Sequence, residues 1–123
     1  MIPILKPVIY VAGPYSADTR TDIADNIKRA EDAGAELMER GWMAHIPHKN
    51  TAFMGMHPVL TDRSWESWLV RDFAVLVKCD ALFLLKDWLA SKGACAEWGF
   101  VHGMGSMPIY YQADGYPEVQ HGE

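Results

Sequence analysis

Cysteine is scarce in this sequence, because Cys79 and Cys95 are the only two among 123 residues. Two cysteines provide neither a disulfide framework nor the spacing of a zinc site, so a reducing compartment is expected. Basic residues are also few: 11 Lys and Arg face 16 Asp and Glu, and the formal net charge is -5. Binding to a nucleic-acid polymer requires clustered Lys and Arg, and we therefore expect no such partner.

Long hydrophobic runs are absent too. A run such as residues 81–85 is far too short to span a bilayer, and the first residues lack the charged start and long apolar stretch of a signal peptide. We therefore expect no membrane partner and a cytoplasmic location. Half of the residues are hydrophobic and 22% are charged, which is typical of globular proteins. Because no repeat or linker divides the chain, we predict a single domain over residues 1–123.

Apolar runs alternate with segments of helical spacing along the chain. The apolar runs predict strands over residues 8–12, 42–46, 80–85 and 108–111. Apolar residues at spacings of three and four predict helices from the capping residues 18–21 to Gly41, from Ser64 to about Lys78, and over residues 93–104. The remaining segments are predicted to be a long loop over residues 48–62 and a polar tail over residues 113–123.

The resulting order, β-α-β-loop-α-β-α-β, is typical of an α/β fold with a parallel sheet. We predict a flavodoxin- or Rossmann-like three-layer sandwich, in which a four- to five-stranded parallel sheet carries helices on both faces. In such sheets, ligands bind beyond the carboxyl ends of the strands. The connections at this edge are residues 13–18, 48–62 and 87–93, and we expect the functional residues there.

Small and polar residues follow the first predicted strand. Gly13 permits close approach of the backbone to a ligand, and Ser16 can donate a hydrogen bond to an anion near the start of a helix. The sequence has no GxGxxG motif and no Walker A lysine, which excludes dinucleotide-binding and P-loop sites of those types. A plain tight turn is the alternative interpretation of this segment.

A second group of candidates lies where the last predicted helix begins. Ser91 and Gly93 are at its start, where free backbone N–H groups and the helix dipole favour a phosphate. Glu97 lies four residues after Gly93 on the same face. Asp72 on the preceding helix would complete a pair of carboxylates of the kind used in glycosidic chemistry. The alternatives are a capping serine with a solvated glutamate, and an exposed Asp72 that pairs with Arg71.

Three short motifs occur in an order and spacing that resemble one family. They are Tyr-Val-Ala-Gly-Pro at residues 10–14, Arg-Asp at 71–72 ahead of Cys-Asp-Ala-Leu at 79–82, and Ser-x-Gly-x-x-x-Glu at 91–97. Over roughly residues 8–108, the chain resembles the nucleoside 2-deoxyribosyltransferase superfamily, which includes 2'-deoxynucleoside 5'-monophosphate N-glycosidases and CMP N-hydrolases.

The resemblance implies a catalytic role for three residues. Glu97 would be the nucleophile that forms a glycosyl-enzyme intermediate at the anomeric carbon of the sugar. Asp72 looks like the second carboxylate, which handles protons or the sugar hydroxyl. Tyr10 matches the tyrosine that lies near the nucleophile and positions it.

The resemblance also implies a phosphate pocket. Its expected lining consists of Ser91, Gly93, Gly13 and Ser16. The hydrolases of the superfamily carry an arginine in their first loop, where this chain has Pro-Tyr-Ser-Ala at residues 14–17, and Arg20 is the nearest substitute.

The function implied is cleavage or transfer of the N-glycosidic bond of a (deoxy)nucleoside or nucleoside 5'-monophosphate through a covalent intermediate on Glu97. No metal and no other cofactor is expected, because a carboxylate stabilises an oxocarbenium-like sugar directly. The expected partner is a small-molecule nucleoside or nucleotide, and the superfamily implies a homodimer or homotetramer. The alternative is a non-catalytic nucleotide-binding module on the same fold.

Histidines and tryptophans near this edge complete the candidates. His45 and His48 span a proline, and no carboxylate completes a known spacing of metal ligands with them or with His57, so no metal site is predicted. A polar contact between His48 and a base or sugar is preferred. Trp88 precedes Ser91, where its ring is placed to stack on a base or to cover a partner subunit. The tryptophans predicted to lie mostly in the core are Trp65, Trp68 and Trp98.

Overall fold

The computed structural model describes residues 5–48 and 58–120. Residues 49–57, which include His57 and much of the predicted long loop, lie outside the described residues. The strands are β1 (Val8–Ala12), β2 (Met43–His45), β3 (Ala81–Leu84) and β4 (Ile109–Tyr111). The α-helices are α1 (Arg20–Glu39), α2 (Trp65–Leu76) and α3 (Lys92–Met104), and short 3-10 helices cover Trp88–Ala90 and Gln112–Asp114.

Within the described residues, four strands form one sheet in the order β2-β1-β3-β4, and every pair is parallel. The register places Tyr10 beside Leu82 and Ala12 beside Leu84. The two central strands are almost wholly buried, which explains why their sequences are continuous apolar runs rather than alternating ones. The predicted α/β fold with a parallel sheet is confirmed.

One face of the sheet is covered by α1. This helix begins after Thr19, whose hydroxyl accepts a hydrogen bond from the backbone N–H of Asp22 at 3.0 Å. Its buried face carries Asn26, three small residues and one leucine, and the alanines and the leucine pack against side chains of β1 and β3. The helix also lies close to the end of β2, because a Cβ atom at Gly34 would lie 2.8 Å from Cδ1 of Ile46.

The opposite face is covered by α2 and α3. Serine side chains cap both helices: Ser64 Oγ accepts from the N–H of Ser67, and Ser91 Oγ accepts from the N–H of Ala94. The two helices contact each other through the rings of Phe73 and Phe100, which stack with centroids 4.4 Å apart. Helices therefore lie on both faces of the sheet, as predicted. None of the described helices has the length and apolarity needed to cross a membrane.

Residues after β4 differ from the predicted polar tail. Tyr116 stacks on Phe83 with ring centroids 5.5 Å apart and packs with Val119 against the core beside α1. The Trp42 indole N–H donates to the carbonyl of Pro117 at 2.9 Å, and the N–H of Val119 donates to the carbonyl of Arg40 at 3.0 Å. Residues 116–119 therefore help to cover the α1 face of the sheet, and the tail prediction is wrong for them.

This packing predicts a large difference between two substitutions at Tyr116. Tyr116→Ala removes the ring from Phe83 and should lower the free energy of unfolding by about 2 kcal/mol or more. Tyr116→Phe keeps the ring and loses only the hydrogen bond from the Gln112 amide, so it should cost about 1 kcal/mol or less. Urea denaturation followed by tryptophan fluorescence measures both values. Equal stability of Tyr116→Ala and the parent protein would contradict the packing role.

Candidate active site

A cavity of about 630 Å³ lies beyond the carboxyl ends of β1 and β3. Its walls come from the loop after β1, from α2 and from the first turns of α3. Seven of the nine candidate catalytic and binding residues line it: Gly13, Ser16, His48, Asp72, Ser91, Gly93 and Glu97. The structure thus brings together residues from connections that are distant in sequence, at the edge that the parallel sheet predicts.

Glu97 is the most unusual of these residues, because it is a charged residue type with only 5% of its surface exposed. It lies in the second turn of α3, and its side chain points toward the sheet. The hydroxyl of Tyr10, which is completely buried in β1, donates a hydrogen bond to Oε2 of Glu97. The structure therefore pairs the residues that the resemblance assigns as nucleophile and positioning tyrosine.

Burial controls the protonation of this group of side chains. Loss of solvent raises the pKa of Glu97 to about 8; the nearby charge of Asp72 also raises it, and the hydrogen bond from Tyr10 lowers it. Burial raises the pKa of Asp72 to about 6. Burial and the two carboxylates raise the pKa of Tyr10 above its usual range, so its hydroxyl keeps its proton. Such coupled shifts in a cleft are typical of functional carboxylates.

The loop after β1 approaches the end of β3 closely, and glycine is required for this. A Cβ atom at Gly13 would lie 2.5 Å from Cδ1 and 2.9 Å from Cβ of Leu85. The next residues are held through their carbonyls: His48 Nε2 lies 2.8 Å from the Pro14 oxygen, and the Asn26 amide donates to the Tyr15 oxygen at 3.1 Å. Burial lowers the pKa of His48, which favours the neutral imidazole.

The start of α3 forms another part of the wall. The hydroxyl of Ser91 caps the helix, because its Oγ accepts from the N–H of Ala94. The space beside Gly93 is open, since an added Cβ atom there would meet only Ser91 Oγ, at 3.9 Å. Two cations that we did not single out in the sequence, Arg63 and Lys92, also line the cavity. In the sequence, Lys92 lies directly between Ser91 and Gly93, the two expected phosphate contacts. This position could have identified Lys92 as a candidate for phosphate binding.

Trp98 packs against the core, as predicted, but three other tryptophans occupy different places from those predicted. Trp65 and Trp68 were expected mostly in the core but line the cavity, where Lys92 Nζ lies 4.0 Å from the centroid of the Trp65 ring. Trp88 is outside the cavity lining, and its ring packs against Trp98, with centroids 6.0 Å apart, and against Tyr111. Trp88 therefore packs against other aromatic side chains and does not line the cavity, in contrast to the predicted stacking on a base.

Other polar candidates have clear partners. Arg71 donates to the Asp62 carbonyl at 3.2 Å and lies over the Trp68 ring, instead of pairing with Asp72. His45 packs beside the ring of Tyr10 with centroids 5.5 Å apart. Within residues 5–48 and 58–120, no group of three His, Cys, Asp or Glu side chains could hold a metal ion; His57 lies outside these residues.

The chemical capacity of the site follows from these positions. A carboxylate beside a cavity large enough for a nucleoside-sized ligand can attack a carbon atom, and Tyr10 keeps one of its oxygens oriented. A second carboxylate, Asp72, lies within electrostatic range of Glu97. Two cations line the cavity, Lys92 at the start of α3 and Arg63 before α2, and both favour an anionic ligand.

Comparison with known proteins agrees with the fold. A solved structure of a 2-deoxyribosyltransferase from the psychrotolerant bacterium Bacillus psychrosaccharolyticus is similar with a TM-score of 0.57 and 18% sequence identity, over 93% of this chain and 77% of that chain. No curated protein sequence matches. A family model described as a domain of unknown function, DUF4406, matches residues 7–111. Because this match covers most of the sequence, the chain belongs to the DUF4406 family.

Proposed function

We propose that this protein cleaves or exchanges the N-glycosidic bond of a (deoxy)nucleoside or nucleoside 5'-monophosphate, with Glu97 as the nucleophile. The observation that carries the proposal is the buried carboxylate of Glu97, hydrogen-bonded to Tyr10 at the wall of a cavity of about 630 Å³. The fold shared with a 2-deoxyribosyltransferase supports the same chemistry.

The reaction takes place in two steps. In the first step, a carboxylate oxygen of Glu97 bonds to the anomeric carbon while the C–N bond breaks, and the base leaves with the bonding electron pair and takes up a proton. In the second step, water or another base attacks the same carbon, loses a proton, and displaces Glu97 as a free carboxylate. Water as acceptor gives hydrolysis, and a base as acceptor gives transfer.

Asp72 and Tyr10 assist Glu97 in different ways. Because the pKa of Asp72 is about 6, this carboxyl is mostly ionised at neutral pH and accepts a hydrogen bond from a sugar hydroxyl. Its negative charge also stabilises the oxocarbenium-like transition state. Tyr10 remains protonated and keeps Glu97 in one orientation, which favours attack by the other carboxylate oxygen.

The start of α3 is proposed to hold a 5'-phosphate. Ser91 and Gly93 provide the polar and open surface there, and Lys92 and Arg63 supply positive charge to the same cavity. These cations replace the arginine that the first loop of this chain lacks. His48 lines the same cavity with its neutral ring favoured, and it is proposed to contact the base or sugar.

Substitution of the nucleophile tests the proposal directly. Glu97→Gln keeps an oxygen that accepts from Tyr10 but cannot form the ester, so release of free base from nucleosides and 5'-monophosphates should fall by about a hundredfold or more. Chromatography measures the release, and circular dichroism checks the fold. Glu39→Gln, on the exposed side of α1, is the matched control and should keep full activity. Binding of a nucleotide by the parent protein without base release would instead indicate a binding module.

The pH profile tests the environment of Glu97. Attack requires the ionised carboxylate, so kcat/KM should rise with pH through about 8, the pKa of Glu97. Tyr10→Phe removes the hydrogen bond that favours the carboxylate and should move this limb to higher pH, whereas Asp72→Asn removes a nearby negative charge and should move it to lower pH. A profile that is flat between pH 6 and 10 (a range of about two units on either side of that pKa) would contradict the assignment.

Loss of one cation tests the phosphate contact. Lys92→Ala should lower kcat/KM for a nucleoside 5'-monophosphate by about tenfold, since a hydrogen bond to a charged group contributes about 1.5 kcal/mol. The same variant should leave kcat/KM for the unphosphorylated nucleoside unchanged. Lys6→Ala, before the amino end of β1, is the control. Equal losses for both substrates would show that Lys92 does not contact the phosphate.

A further inference from the structure

Asn26 and Arg29 lie one turn apart on α1 and are outside the set of residues that line the cavity described above. Asn26 is a polar residue with only 7% of its surface exposed, on a helix face that otherwise buries Ala, Gly and Leu. Its Nδ2 donates to the carbonyl of Tyr15 at 3.1 Å, and its Oδ1 accepts a hydrogen bond from Nη2 of Arg29. Both polar atoms of the buried Asn26 amide therefore have a hydrogen-bond partner.

Arg29 continues this connection to another loop. Its Nη1 donates to Oδ2 of Asp87 at 2.6 Å. Asp87 precedes the 3-10 helix Trp88–Ala90, yet its side chain makes no capping hydrogen bond to that helix. The carboxylate of Asp87 is thus directed to Arg29 across a sequence separation of 58 residues.

Both segments joined in this way contribute residues to the lining of the cavity. Tyr15 belongs to the loop after β1, and the 3-10 helix leads directly to Ser91, the residue that caps α3. The charge of Asp87 also acts on His48, whose ring contacts the first loop at Pro14. One guanidinium, through Asn26, therefore connects the first loop to the segment that leads to α3.

We propose that Arg29, bridging Asn26 and Asp87, is a positioning residue that holds the two loops at the separation required by the 5' end of the substrate. This inference rests on the proposed function. The ion pair is half-exposed, with 55% of the Arg29 side chain and 38% of the Asp87 side chain accessible, and pairs of this kind contribute little to global stability. We expect the ion pair to affect the reaction more than the stability, because small displacements of substrate-positioning groups strongly reduce rates.

Loss of the bridge should change the loops and the kinetics together, with little effect on unfolding. Arg29→Met keeps a long apolar side chain but removes both hydrogen bonds. We expect faster hydrogen exchange of the backbone amides of residues 15–18 and 88–91 in the protein without substrate. We also expect KM for a nucleoside 5'-monophosphate to rise by about tenfold, with kcat less affected and the midpoint of thermal unfolding nearly unchanged.

Lys28→Met is the matched control, because it removes an exposed ion pair with Asp32 from the same helix without touching either loop. It should leave exchange and KM as in the parent protein. Arg29→Lys should not restore KM, since a single ammonium cannot reproduce the fork between Asn26 and Asp87.

Two outcomes overturn the inference. One is equal exchange of both loops in Arg29→Met and Lys28→Met, and the other is faster exchange with an unchanged KM. Because exchange needs no substrate, a parent protein that releases no base would refute the proposed function separately, while unchanged exchange alongside normal base release would refute only the role of Arg29.

Discussion

The hydrogen bond between Tyr10 and Glu97 joins the central strand of the sheet to the helix that covers it. Removing a carboxyl group from water costs free energy unless the group is neutral or well paired. Glu97 is buried, and the Tyr10 hydroxyl donates a hydrogen bond to its carboxyl group. The raised pKa values of Glu97 and Asp72 follow from this placement. A buried carboxyl at position 97 costs stability that an apolar residue would not cost, and this cost is what the proposed role of Glu97 as nucleophile would explain.

The parallel sheet supplies the position of this pair. The two central strands are almost wholly buried, and at their carboxyl ends the loop after β1 and the start of α3 line one cavity. The loops are then shaped by specific contacts: Gly13 permits close approach to Leu85, and Asn26 and His48 hold the neighbouring carbonyls. A rigid scaffold with adjustable loops is the usual way in which folds of this kind host many reactions.

Much of this arrangement could be predicted from the sequence. Continuous apolar runs identified the buried strands, and the spacing of four between Gly93 and Glu97 placed both on one side of α3. Other features depend on contacts that local patterns do not encode. The ring of Trp88 packs toward Trp98 from within its 3-10 helix, and Arg29 reaches Asp87 across a gap of 58 residues. Likewise, the apolar residues after β4 are too few and irregular to reveal that they cover the sheet.

The course of that last segment has a practical consequence. The N–H of Val119 bonds to Arg40, at the end of α1 and just before β2 begins, which is the amino-terminal edge of the parallel sheet. The cavity opens at the other edge. A fluorescent reporter or surface anchor attached to the exposed side chain of Gln120 would therefore lie on the side remote from the cavity, and immobilised protein would keep its pocket facing the solution.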